Sequence, residues 1–285
     1  MDQMHDVRPG QSIELLKELH ILTRDGKMNQ DSRRKLKQVY HLVQFIEPLL
    51  EDLLRHQPAI DLVDHGAGKS YLGFLLYDLF FKARNDASHI YGIETRAELV
   101  DKSHVLAGSL GFDRMSFLNL SVAESITSDR LPERIDVVTA LHACNTATDD
   151  AIHFAIQKQA RSIVLVPCCQ AEVASVLKKN KSSQRAQDPL TELWRHPLHT
   201  REFGSQVTNV LRCLQLEAHG YQVSVTELIG WEHSMKNELI IATFKDLPRQ
   251  RPAARLQQVL SSLGLEEMQG RFFSASEKVV DTSAA

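Results

Sequence analysis

Cysteine, long apolar runs and net charge are all scarce in this sequence. Four cysteines in 285 residues are too few for the disulfide framework of a small secreted domain. No apolar stretch is long enough to span a bilayer; the best, Tyr71 to Phe81, is short and interrupted by Asp78. The net charge is only −3, so no global field draws nucleic acid, and any basic surface has to be local. The opening Met1-Asp2-Gln3-Met4-His5-Asp6 lacks a basic region followed by an apolar core, which predicts no signal peptide and a cytoplasmic protein. No internal repeat and no recognisable RNA-binding module is present. What remains is an ordinary globular composition, 43% hydrophobic and 24% charged, on a chain long enough to bury a substantial core.

The most informative stretch is Ile60-Asp61-Leu62-Val63-Asp64-His65-Gly66-Ala67-Gly68-Lys69-Ser70. A β-branched segment ends at an acid, turns through two glycines and enters the helix former Tyr71-Leu72-Gly73-Phe74. Glycine allows a ligand close to the backbone, and a helix N-terminus offers unpaired N–H groups. A phosphate-binding P-loop would need its first glycine at Val63, inside the strand. A dinucleotide fingerprint would need its third glycine at Tyr71, and Gly73 comes two residues late. The NAD-linked reading therefore stands only as an alternative. A serine at position 70 predicts a hydroxyl that satisfies an orphan N–H of the helix.

Around this turn the chain alternates. Strands are predicted near 60–65, 89–94, 115–120, 135–141 and 162–167, with helices between them, a rhythm that implies a parallel sheet covered on both faces. Residues from about Gln11 to His56 read as helical. Leu36, Val39, Val43, Ile46, Leu50 and Leu53 form one apolar face, and Pro48 predicts a kink or a second helix. After Pro167, a polar stretch with Lys178-Lys179 and Trp194 reads as an insertion or lid before a helix at about 205–219. Two closing strands, Tyr221 to Ile229 and Glu238 to Phe244, complete the pattern.

Asp64, Gly66 and Gly68 resemble motif I of the class I S-adenosylmethionine (SAM)-dependent methyltransferases, and the helix with two final strands resembles the end of their sheet. The resemblance implies an α/β, Rossmann-like fold with a mostly parallel seven-stranded sheet and an antiparallel last strand. It divides the chain into an N-terminal helical appendage (1–56), a SAM-binding domain (57–246), and a C-terminal helix with a flexible tail (247–285). The second predicted strand, His89-Ile90-Tyr91-Gly92-Ile93-Glu94, ends in an acid whose carboxylate can accept hydrogen bonds from both ribose hydroxyls. The cofactor set implied is Asp64, His65, Gly66, Ala67, Gly68, Glu94 and Thr95, with Ser121 and Glu124 at the adenine edge and Leu141 and His142 at the fourth strand.

The fourth strand runs into His142-Ala143-Cys144-Asn145-Thr146-Ala147-Thr148-Asp149, and the fifth into Pro167-Cys168-Cys169-Gln170. This pairing looks like the methyltransferase-like-25 type family, from which Asn145 departs where aspartate is frequent. Methyl transfer from a sulfonium requires an aligned nucleophile and somewhere for its proton to go. His142 could act as base, and Asn145 or Gln170 could orient an amide or amine acceptor. Cys144, Cys168 and Cys169 admit three roles: nucleophiles, zinc ligands together with His142, or small polarisable pocket walls. The last is favoured, because the Asp-x-Pro-Cys of cysteine-using RNA methyltransferases is missing and adjacent cysteines suit zinc poorly. No metal is expected.

Two basic clusters, Arg33 to Lys37 and Lys178 to Arg185, suit RNA if they flank the pocket mouth, with Trp194 available for base stacking. Solvated faces are the competing explanation. Lys236-Asn237 falls where a substrate-facing pair or a plain hairpin loop would sit. RNA is the preferred acceptor over protein, and a non-catalytic SAM-fold interaction protein is the remaining class.

Overall fold

The computed structural model describes residues 7–84, 86–141, 146–167, 170–180, 189–228 and 238–272. Helices α1 (Ile13–Glu18) and α2 (Gln30–Leu54) precede a run of β1 (Asp61–His65), α3 (Tyr71–Leu76), β2 (His89–Glu94), α4 (Ala97–Leu110), β3 (Met115–Asn119), α5 (Val122–Thr127), β4 (Val137–Leu141), α6 (Ala147–Gln157) and β5 (Ser162–Val166). Then follow α7 (Glu172–Asn180), α8 (Pro197–Ala218), β6 (Tyr221–Glu227), β7 (Glu238–Phe244), α9 (Gln250–Leu263) and α10 (Gln269–Phe272). Among the described residues, no helix is long and apolar enough to cross a membrane.

The seven strands form one sheet in the order β3-β2-β1-β4-β5-β7-β6. Strands β1 to β5 pair in parallel, and β7 runs antiparallel to β5, with Ser162 opposite Thr243. This is the predicted Rossmann-like methyltransferase sheet. Strand order reverses between β1 and β4, so a crevice opens beyond the carboxyl ends of those two strands. The strands are near-continuous runs of buried aliphatics, such as Ser162-Ile163-Val164-Leu165-Val166, as parallel strands covered on both faces require.

The described chain forms two compact units. The first comprises the described residues within 1–143, 150–168 and 224–243. In its core, Leu15 and Leu16 of α1 and Leu36, Val43, Ile46 and Leu50 of α2 pack with Leu62, Phe74 and Ile90. The N-terminal region is not one helical stretch. Residues 19–29 separate α1 from α2, whose start is capped by Asn29 accepting from the Ser32 N–H. Helix α2 continues through Pro48 for 25 residues instead of restarting there. The proline costs about 3 kcal/mol or more in a helix interior, and burial of the apolar face offsets it. Asp78, the polar break in the apolar run, is buried and accepts from the Ser12 N–H at 2.8 Å, tying α1 to the turn after α3.

The second unit comprises the described residues within 144–149, 169–223 and 244–285, with a separate core of Val173, Leu177, Trp194, Leu211, Leu256 and Leu260. Helix α8 starts at Pro197, earlier than predicted, because proline presets the first helical position. Trp194 is not an exposed stacking platform. It is 5% exposed and lies parallel to the Phe203 ring at 5.2 Å.

Candidate functional site

Three alternate left-handed positions shape the turn after β1: Gly66 (φ 67°), Gly68 (φ 58°) and Ser70 (φ 52°). The two glycines take this conformation without steric cost, whereas for serine it costs about 1–2 kcal/mol. The Ser70 hydroxyl does not cap α3. Its Oγ is buried without a hydrogen-bond partner, and it lies 2.8 Å from where a Cβ on Gly73 would sit. Gly73 thus has the helix-against-strand packing role of a third fingerprint glycine, two residues late, facing Ile90 and Met115.

Beyond this turn lies a cavity of about 410 Å³ whose lining includes Asp64, Gly66, Ala67, Gly68 and Leu141. Five predicted cofactor residues therefore meet at one place. A sixth, Glu94, adjoins them: its Oε2 accepts from the Gly68 N–H at 2.9 Å. The parallel register puts Asp64 opposite Thr139 of β4, whose hydroxyl donates to the Asp64 carboxylate at 2.9 Å. Burial pushes the Asp64 carboxyl up to about 7, partly countered by Thr139 and the Gly73 N–H. The pocket therefore holds a carboxyl that ionises near neutrality and suits a cationic ligand.

Glu94 is only 9% exposed in its side chain. Burial raises its pKa, but the Arg96 guanidinium and the Arg96 and Gly68 amides outweigh that and hold it below the usual carboxylate range. Arg96 donates Nε to Oε1 at 3.0 Å and Nη2 to Oε2 at 3.2 Å, while its side chain is 61% exposed. Thr95 donates its hydroxyl to Glu94 Oε1 at 3.3 Å, so it supports the acid.

The remaining predicted cofactor residues are placed elsewhere. The His65 ring is buried against Phe154 at 5.3 Å, both ring nitrogens lack partners, and burial lowers its pKa to about 4. Ser121 and Glu124 bond to each other as the capping box of α5 rather than standing open to an adenine. The Ser-x-x-Glu spacing carries that signal in the sequence.

Of the residues predicted for methyl transfer, His142, Cys144, Asn145, Cys168 and Cys169 lie outside the described residues, as do Lys236-Asn237 and Lys181 to Arg185. Gln170 is buried in the second unit and donates Nε2 to Asn209 Oδ1 at 2.6 Å. That oxygen also accepts from Arg212, which forks onto Asp149 at 2.7 and 2.8 Å. Because arginine only donates, Asn209 must present oxygen and Gln170 must present its amine, leaving the Gln170 Oε1 without a partner.

The pocket also has a wall from α2, of which sequence reasoning placed only Lys35 at the pocket mouth, within the Arg33 to Lys37 cluster. Lys35, Gln38, Val39 and Leu42 of α2 line it with Lys69 and Arg96. The signal for its apolar part was the helix face itself, since Val39 belongs to the predicted stripe and Leu42 lies three residues further on the same face.

A family model described as a methyltransferase domain matches residues 34–176. The chain is 24% identical over 236 residues to a glutathione S-transferase C-terminal domain-containing protein of Mus musculus, covering 76% of this chain and 34% of the relative. It thus spans about a third of the length of the curated relatives it matches. Among solved structures it is similar to magnesium protoporphyrin IX methyltransferase from Synechocystis PCC 6803, with TM-score 0.43, 13% identity, and 81% of this chain and 94% of that one covered. An rRNA methylase from Streptococcus thermophilus matches at TM-score 0.41 and 11% identity, over 71% and 95% of the two chains.

Proposed function

The chain belongs to this methyltransferase-domain family; on that premise we propose that it is a SAM-dependent enzyme whose methyl acceptor is RNA. The observation that carries this reading is the rim of the cofactor pocket, where Lys35, Lys69 and Arg96 stand around the Asp64, Gly66 and Gly68 turn. Three cations at the mouth of one cavity suit an acceptor bearing phosphates. Arg33, Arg34 and Lys37 share the first two turns of α2 with Lys35.

The residues fit the cofactor. Gly66 has open space where a side chain would project, Glu94 supplies a carboxylate for two ribose hydroxyls, and Asp64 supplies a buried carboxyl whose ionised form a cationic sulfonium amino acid would favour. When bound, the cofactor provides a methyl group already activated by the sulfonium. In this reading the protein aligns the acceptor and takes its proton. His142 follows β4 and acts as the base. Asn145 orients the acceptor by hydrogen bonding, and Cys144, Cys168 and Cys169 serve as small pocket walls; Gln170, whose amine is committed to Asn209, takes no part in this reading. Within the family, the His142-Ala143-Cys144 and Pro167-Cys168-Cys169 segments support the methyltransferase-like-25 type, working in the cytoplasm, with residues 1–56 as helical appendage and 247–285 as C-terminal helix and tail.

The test is incubation with methyl-labelled SAM and separate RNA, protein and metabolite fractions from cells lacking the gene. Label that enters RNA and is released by ribonuclease supports the reading; label confined to protein or metabolites refutes it.

A further inference from the structure

The carboxylate that should hold the ribose is already occupied. Both Glu94 oxygens accept from Arg96, at 3.0 and 3.2 Å, while the Arg96 N–H, Thr95 hydroxyl and Gly68 N–H take further positions on them. Its guanidinium also overlies the glycine turn, with Nη2 3.8 Å from the point where a Cβ on Gly68 would lie. Arg96 therefore covers both surfaces an adenosine would use, the acid and the turn. Its side chain is 61% exposed, so solvent weakens its hold on Glu94 and can hydrate the guanidinium once it leaves.

We propose that Arg96 is a cofactor-displaced latch: the ribose takes Glu94 from it, and the released guanidinium joins Lys35 and Lys69 in binding the phosphate backbone of the RNA acceptor. The geometry supports each half. Glu94 has few lone pairs left for two hydroxyls while a planar fork occupies both oxygens. Arg96, Lys35 and Lys69 line the same cavity, so a freed Arg96 adds a cation where two already stand. The consequence is ordered assembly: cofactor loading raises affinity for the polyanion, and the bare enzyme holds that cation back. Arg96 is thus a positioning residue acting through Glu94 and the acceptor phosphate. The proposal rests on the pocket being the SAM site and on the RNA reading.

The experiment measures S-adenosylhomocysteine affinity by calorimetry, and the affinity of a short fluorescein-labelled oligouridylate with and without saturating S-adenosylhomocysteine. Wild type, Arg96→Gln and Arg96→Lys are compared. Removing the competitor should tighten S-adenosylhomocysteine by about two- to fivefold in Arg96→Gln, the range of a half-exposed ion pair. S-adenosylhomocysteine should strengthen oligouridylate binding by wild type, and this gain should vanish in Arg96→Gln. Arg96→Lys lacks the planar fork but keeps the charge, so it should also bind S-adenosylhomocysteine more tightly while retaining part of the gain. Unchanged or weaker S-adenosylhomocysteine binding by Arg96→Gln overturns the latch, as does oligouridylate binding indifferent to S-adenosylhomocysteine in wild type. Failure of wild type to bind S-adenosylhomocysteine would instead overturn the cofactor site, a result distinct from either.

Discussion

Asp64 and His65 are neighbours in sequence, both buried, and their titrations oppose each other. The Asp64 carboxyl is raised by burial to about 7, and the His65 imidazole is lowered by burial to about 4. Between its ordinary aspartate range and pH 7, Asp64 is protonated in the folded chain and ionised in the unfolded one. Folding then takes up a proton, and stability falls as pH rises by about 1.4 kcal/mol per pH unit. Between about pH 4 and its ordinary value of 6.5, His65 is neutral when folded and charged when unfolded, so stability rises with pH at the same slope. The two contributions nearly cancel from pH 4 to 6.5, and Asp64 acts alone from there to 7. Asp64→Asn should leave the His65 slope exposed: between pH 6.5 and 4 it should lose about 3 kcal/mol relative to wild type. The amide also faces the Gly73 N–H, adding a pH-independent cost of about 1–3 kcal/mol, so the slope and not the absolute stability is diagnostic. Urea denaturation of both proteins at pH 4.5, 5.5, 6.5 and 7.5 measures it (set about one pH unit apart to resolve the slope). Parallel pH profiles would refute the burial of the Asp64 charge and the reasoning built on it.

Other perturbations probe different parts of the structure. Glu94→Ala should weaken S-adenosylhomocysteine binding by about 1.5–3 kcal/mol, the value of a charged hydrogen bond; calorimetry with unchanged affinity would remove the ribose assignment. Gly92→Ala would put a Cβ 2.7 Å from Cδ1 of Phe117, and overpacking there should cost about 1–3 kcal/mol in urea denaturation. Arg212→Met would leave the Asp149 carboxylate buried and unpaired, which should cost about 3–5 kcal/mol. A loss below about 1 kcal/mol, the value of an exposed pair, would contradict the burial of that ion pair.

The sheet was legible because its inner strands are short β-branched runs broken by turns, and covered parallel strands need little else. The acid, glycine, glycine sequence after β1 was legible for a related reason, since the left-handed φ values at Gly66 and Gly68 leave few alternatives. What escaped sequence reading depended on distance or competition. Thr139 meets Asp64 across 75 residues through strand register alone. Ser70 looked like a cap, but its left-handed backbone turns the hydroxyl into the space left by Gly73 and Gly92. Ser121 and Glu124 looked like open ligands after a strand, when their three-residue spacing lets each satisfy the other. Trp194 sat among polar residues yet is drawn under α8 by Phe203. Arg96 stands at the N-cap of α4, and nothing in its spacing reveals that it folds back on Glu94.

The most direct test of the account is a crystal structure of the chain with S-adenosylhomocysteine. The ribose should lie on the Glu94 carboxylate and the nucleoside against the Gly66–Gly68 turn, with Asp64 lining the amino-acid end. A nucleoside bound elsewhere, or a crevice that stays closed over the turn in saturating ligand, would contradict it.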